Sequence, residues 1–263
     1  MFMPSDAIQV KLAGAAGTIV LNRPDHGNCL TRSMVRQLTE ALDDLYQEKK
    51  VRAIIVTGAG KDFCRGSDLP EIKASAALPG AQGQWGEDAA ELRDLLVRML
   101  EITKPIIAAV NGSAYASGAA LAAAADIVVA ADSADWCLPE IRQGMVAGLA
   151  APLVAFRAGA GHAAKLLLTG RPIGAEEALQ LGLFHELTPF NAVWARAAEI
   201  AQQCAEGAPQ ALQLSKRLLY ETLGEHLPSR LAAGAVMAAT ALTTDAAEEG
   251  IAAFLEQRPP RWP

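Results

Sequence analysis

No stretch of this 263-residue chain reaches the ~18 consecutive apolar residues that a membrane-spanning helix needs. The nearest, residues 106–131, is interrupted by Asn111, Asp126 and several glycine and serine positions, so no membrane partner is expected. The opening MFMPSDAIQV has neither a basic segment nor an apolar core behind it, so no secretory leader is expected. Cysteine is scarce and scattered: Cys29, Cys64, Cys137 and Cys204 form no C-x-x-C pair. His26, His162, His185 and His226 do not cluster either. Those absences argue against a zinc site or a disulfide framework and fit reduced thiols in a cytoplasmic protein. A basic excess is missing too: 29 acidic against 23 basic residues leave a net charge of -6, without the footprint of a nucleic-acid partner. There is no internal repeat and no low-complexity tract.

What is present is apolar. Hydrophobic residues make up 51% of the chain and charged residues 20%, enough to bury a substantial core. The length suits one α/β domain with a helical appendage. Residues 8–12 and 18–21 read as two strands around the turn Ala13-Gly14-Ala15-Ala16-Gly17, and residues 22–28 as loop. From Thr31, a candidate N-cap, apolar positions Met34, Leu38, Ala41, Leu42 and Leu45 recur at helical spacing. Residues 51–57 read as a buried strand, 75–87 as a mobile loop, and 88–101 as a helix. A strand over 106–110, an alanine-rich helix over 117–125 and a strand over 127–130 follow. This alternation predicts largely parallel strands in a layered α/β domain. After about residue 149 the spacing is helical, with one strand expected at 184–187. The reading divides the chain into an α/β core over 1–190 and a helical region over 191–263 that closes the pocket and mediates oligomerisation.

Three local sequences can carry chemistry. In TGAGKDFCRGSDL (57–69), the pair Gly58/Gly60 lacks both the third glycine of a dinucleotide fingerprint and a G-K-[ST] ending, so a nucleotide-binding reading is weak. In IIAAVNGSAYASG (106–118) a buried strand empties through small residues into a helix start. The unpaired N–H groups there make an anion or oxyanion site. The third is Glu140 in LPEI (138–141).

Together these motifs, with LNRPDHGNCL (21–30), KPIIAAVNGSAYASGAALAAAADI (104–127), LPEIRQG (138–144), TGRPIGAEEALQLGLFHEL (169–187) and EEGIAAFLEQRPPRW (248–262), resemble the crotonase superfamily, in order and spacing, over nearly the whole chain. The resemblance implies a ββα spiral core, a C-terminal helical trimerisation region, and assembly as a homotrimer or dimer of trimers. It implies an acyl-CoA thioester as substrate and no cofactor beyond the coenzyme A of that substrate.

It also assigns roles. The thioester oxygen is expected between the backbone N–H groups of Ser67 and Ala116. Arg65, Gly66, Asp68, Gly112, Tyr115 and Ser117 are expected around the substrate, with Asp68 shaping its loop and Arg65 lying along the nucleotide. Residues 74–84 and 145–156 are expected to line the acyl pocket. Hydratases of the family hold water between two glutamates; here Glu140 matches one and Ala120 stands where the other would be. That departure favours a Δ3,Δ2-enoyl-CoA isomerase in which Glu140 alone shuttles a proton from C2 to C4, and burial would raise its pKa for the task. Hydration with a non-standard second group, decarboxylation or thioester hydrolysis, and a catalytically weak acyl-CoA-binding protein are the alternatives.

Overall fold

The computed structural model describes residues 7–263. Residues 1–6, on which the leader expectation partly rests, lie outside the described residues. The chain runs β1 (Ile8–Ala13), β2 (Ala16–Leu21), α1 (Arg32–Gln47), β3 (Ala53–Gly58), α2 (Leu69–Ala76), α3 (Ala81–Glu101), β4 (Ile106–Val110), β5 (Ala114–Tyr115) and α4 (Ser117–Ala124). It continues through β6 (Ile127–Ala131), β7 (Asp135–Cys137), a 3₁₀ turn over Pro139–Gln143, α5 (Ala150–Ala158), α6 (Ala160–Thr169), β8 (Ile173–Gly174), α7 (Ala175–Gln180) and β9 (Glu186–Thr188). From α8 (Val193–Glu206) onward, through α9 (Pro209–Leu218), α10 (Leu227–Ala241) and α11 (Asp245–Leu255), the described regular elements are helical.

Six strands form one sheet in the order β1-β2-β3-β4-β6-β9. Only β1 and β2 are antiparallel, closing as a hairpin in which Ala13 pairs with Ala16 and Gly14 takes φ +58°. The others are parallel. Parallel strands covered on both faces read as unbroken apolar runs, as Ile54-Ile55-Val56 and Ile106-Ile107-Ala108 do, all essentially inaccessible. A small second sheet, β5-β7-β8, stands apart. Its strands of two or three residues are too short to show a period, which is why the sequence reading passed over them.

Helix α1 starts where Thr31 accepts a hydrogen bond from Met34 N, and it buries Met34, Val35, Leu38, Ala41, Leu42 and Leu45. One expectation fails here: most of residues 75–87 is helical, α3 beginning at Ala81 behind the left-handed Gly80. Gly83 and Gly86, which suggested a loop, face open space, so each costs only about 1 kcal/mol of helix propensity. The buried Trp85 anchors the segment, its indole N–H donating to Ser75 Oγ at 3.1 Å. The late strand also lies slightly beyond its predicted place, at Glu186–Thr188 after the buried Leu183 and Phe184.

Away from the sheet, Lys216 of α9 is 6% exposed and fully engaged. It donates to Asp126 Oδ2 at 2.7 Å and to the carbonyls of Met99 and Lys104. Among the described residues no helix is long and apolar enough to cross a membrane.

Candidate active site

Two asparagines hold together the loops that carry the site. Asn28 donates to Ala59 O and Asp62 O, and Asn111 donates to Gly60 O while its Oδ1 accepts from Gly58 N. The loop after β3 is thereby held against both the N-terminal loop and the turn after β4. Backbone bonds then lace three threads together: Leu30 N donates to Gly66 O, Asp68 N to Leu30 O, Cys64 N to Ser113 O, and Tyr115 N to Cys64 O.

Glycines allow the close approach. A Cβ on Gly66, whose φ is +105°, would meet Ala116 Cβ at 2.7 Å and lie 3.6 Å from Ser117 N. A Cβ on Gly118 would sit 2.1 Å from Cys64 O. A Cβ on Gly112 would sit 1.9 Å from Lys61 O, so this glycine packs the turn, and it is not among the residues lining the cavity.

The two expected N–H donors fare differently. Ser67 N–H has no hydrogen-bond partner among the described residues. Ala116 N–H is already engaged, donating to Cys137 O at 2.9 Å, so it is not available to an oxyanion. Ala116 takes the left-handed φ +51°, ψ −119°, and the next residue, Ser117, opens α4. It is Ser117 N–H that is left without a partner there. The signal for this was in the sequence: the first residue of a helix carries an orphan N–H, and the helix had been placed from Ser117. The serine hydroxyls meet across the gap, Oγ to Oγ at 2.8 Å.

Glu140 lies in the 3₁₀ turn after β7, 9% exposed. Its Oε2 is the single buried side-chain polar atom without a partner among the described residues. Burial pushes the carboxyl up to about 7, against a smaller opposing hydrogen bond from its own backbone N–H. No second carboxylate balances it from α4, where Ala120 is fully buried and faces the same cavity. Two thiols nearby, Cys64 and Cys137, are pushed up to about 12 by burial, so neither supplies a thiolate near neutrality.

Around these groups is a cavity of about 590 Å³. Ser67, Ala116, Ser117, Ala120 and Glu140 all line it, and Leu69, Ile72, Trp85, Leu92 and Leu149 give it an apolar wall. Residues 74–84 do not reach it: Ile72 and Trp85 do, because α2 and α3 turn the intervening segment outward. Of 145–156 only 145–150 line it. Sequence reasoning also missed Gln143 and the small-residue face of α10 with Phe254 of α11, which complete the enclosure.

At the polar rim, Tyr115 OH donates to Asp135 and its ring lies 5.4 Å from the Arg65 guanidinium, which is exposed. Burial and then Asp135 hold the Tyr115 phenol well above its ordinary range. Asp68 caps α2 by accepting from Glu71 N and pairs with Arg23 at 2.9 Å.

Comparison with known proteins gives one consistent result. The family model described as enoyl-CoA hydratase/isomerase matches residues 13–263. A Thermus thermophilus protein provisionally named an enoyl-CoA hydratase is 37% identical over 249 residues, covering 95% of this chain and 98% of its own. The 2,3-dehydroadipyl-CoA hydratase of Escherichia coli is 32% identical over 92% of each chain. Among solved structures, a carnitinyl-CoA hydratase from Mycobacterium avium superposes with a TM-score of 0.83 at 32% identity, covering 97% of this chain and 98% of that one.

Proposed function

We propose, from the premise that this chain belongs to the enoyl-CoA hydratase/isomerase family of the crotonase superfamily, that it is a Δ3,Δ2-enoyl-CoA isomerase with one catalytic carboxylate. The thioester oxygen accepts hydrogen bonds from Ser67 N–H and Ser117 N–H. The Glu140 carboxylate takes a proton from C2, and the released electron pair delocalises to that oxygen. The dienolate then takes the same proton back at C4, giving the conjugated 2-enoyl thioester. Such paired donors act on charge that develops only in the transition state, where they are most effective.

The observation that carries this reading is the Glu140 carboxyl in the cavity wall: it is buried, its Oε2 has no hydrogen-bond partner among the described residues, and Ala120 of α4 brings no second glutamate to that wall. A carboxyl poised near pH 7 both accepts and returns a proton readily. The test is deuterium uptake at C2 of butyryl-CoA in D₂O, followed by conversion of 3-hexenoyl-CoA. We expect exchange and isomerisation in the parent, and a loss of about 10²–10⁴-fold in Glu140→Gln. Parent exchange that survives Glu140→Gln would sink the assignment of the base.

The names of the relatives favour a second reading, hydration of a 2-enoyl-CoA, with water held by a group other than a second carboxylate. Formation of a 3-hydroxyacyl-CoA at a rate matching isomerisation would favour it. On either reading the enzyme is cytoplasmic and assembles as a homotrimer or dimer of trimers, for which the exposed Leu214, Leu218, Val236 and Met237 on α9 and α10 supply apolar surface. Light scattering on the purified protein checks the assembly.

A further inference from the structure

We propose that the Ser67–Ser117 hydroxyl pair supplies a third hydrogen bond to the thioester oxygen, so that these serines act through their side chains as well as their backbone. The inference rests on the enolate reading above and adds to it a catalytic role for two side chains.

The argument begins with proton counting. Two hydroxyls carry two protons, and their mutual contact at 2.8 Å uses one. That contact is the sole hydrogen bond either hydroxyl makes among the described residues. One O–H is therefore left to donate, and both residues line the cavity. The Ser117 hydroxyl has little to bond within its own helix, because Ser117 opens α4 and no helical carbonyl lies three or four residues before it.

Position is the second step. The two residues whose hydroxyls touch are the same two whose backbone N–H groups are free. An oxygen bonded to both N–H groups sits between Ser67 and Ser117, beside the pair. As the C2 proton leaves for Glu140, negative charge grows on that oxygen, and a hydroxyl rotor can turn its proton toward it.

A purely structural role, stapling the loop to α4, is redundant. The backbone bonds between Cys64 and Ser113 and between Tyr115 and Cys64 already make that join, and Gly66 packs on Ala116. The neighbouring positions Ala116, Gly118, Ala119 and Ala120 are all small and apolar, so space alone would be met by alanine.

The test uses the full-length enzyme, Ser67→Ala, Ser117→Ala and the double variant, all of which keep both N–H groups. Two readouts are taken: C2 exchange of butyryl-CoA in D₂O, and the red shift of 3-phenylpropenoyl-CoA absorbance on binding, which reports hydrogen bonding to the thioester carbonyl without any proton transfer. We expect the double variant to exchange about 10–10²-fold more slowly, toward the low end of what losing one oxyanion donor brings, with KM nearly unchanged and a smaller red shift. The effects of the single variants should not add, since either hydroxyl remaining alone can still donate. Glu140→Gln should keep the full red shift while losing exchange. A double variant that matches the parent in both readouts would overturn the proposal and leave the enolate reading intact; should it not fold, Ser67→Ala/Ser117→Cys, in which only a weak S–H donor replaces the last hydroxyl, is read the same way. A parent with neither exchange nor red shift would overturn both.

Discussion

Replacing Glu140 by glutamine should stabilise the protein increasingly as pH rises from about 4.5 to 7, with the full gain present above 7. The carboxyl titrates at about 7 in the folded chain against an ordinary 4.5, because burial penalises its charged form. At about 1.4 kcal/mol per tenfold change in proton affinity, that rise corresponds to roughly 3 kcal/mol. Below pH 4.5 the folded and unfolded chains both hold the proton, and the site contributes no pH dependence. Between 4.5 and 7 the folded chain keeps a proton that the unfolded chain has released, so stability falls as pH rises. Above 7 both are ionised and the whole penalty is present. Glutamine does not titrate, so the stability of Glu140→Gln relative to the parent should be flat at low pH and climb by roughly 3 kcal/mol between pH 5 and pH 8. For a chain of this size that is a relative gain of about 6–12 °C in Tm at the higher pH. Urea unfolding of both proteins at fixed concentration across that range measures it. Parallel curves would show that the carboxyl is solvated in the folded state and would remove the physical basis for a base tuned to neutrality.

Three other outcomes follow from particular contacts. Ala116→Gly should raise stability by about 1 kcal/mol, because alanine at φ +51° is strained where glycine is not; chemical denaturation checks it. Ala120→Glu should add hydratase activity toward a 2-enoyl-CoA, at least tenfold above the parent, because it brings a second glutamate to the wall of the cavity that Glu140 also lines; product analysis for 3-hydroxyacyl-CoA decides. Lys216→Met should cost about 2–4 kcal/mol by leaving the partly buried Asp126 carboxylate without its cation and with the Ile106 N–H as its remaining donor, while kcat per folded molecule stays near the parent's; unfolding and steady-state rates read the two separately.

How far the sequence could be read depended on the length of each signal. The runs 51–57 and 106–110 and the Thr31 cap are local and strong, and each places its element within two residues. Residues 75–87 mislead because alanine, glycine and glutamine content does not reveal burial. A single anchoring tryptophan, with its indole bonded to Ser75, holds a segment whose glycines face open space. The site was legible as types and spacings, since Ser67, Ser117 and Glu140 were all marked. The choice between Ala116 and Ser117 turned on where one N–H points, which depends on the carbonyl of Cys137, a residue distant in sequence. The far wall of the cavity was least legible. It is made by α10 and α11, whose small apolar residues look the same in sequence whether they face a core or a cavity.

The unmet bonding capacity of the molecule also points to one place. Elsewhere the buried side chains of Asn28, Asn111, Thr57 and Lys216 all meet partners inside the fold. Among the described residues, the buried side-chain atom left without one is Glu140 Oε2. The free N–H groups of Ser67 and Ser117 and a non-glycine residue at positive φ adjoin the same cavity. A buried carboxylate lacking a partner and a strained residue each work against stability, and folding by itself gives no reason to retain them together. The buried parallel sheet and the Lys216–Asp126 anchor lie elsewhere and can hold the chain folded despite them. A substrate thioester would satisfy all three polar groups at once, its oxygen taking the two N–H groups and its C2 proton meeting the carboxylate. That match is the physical reason to regard this cavity as the place where the chain does its chemistry.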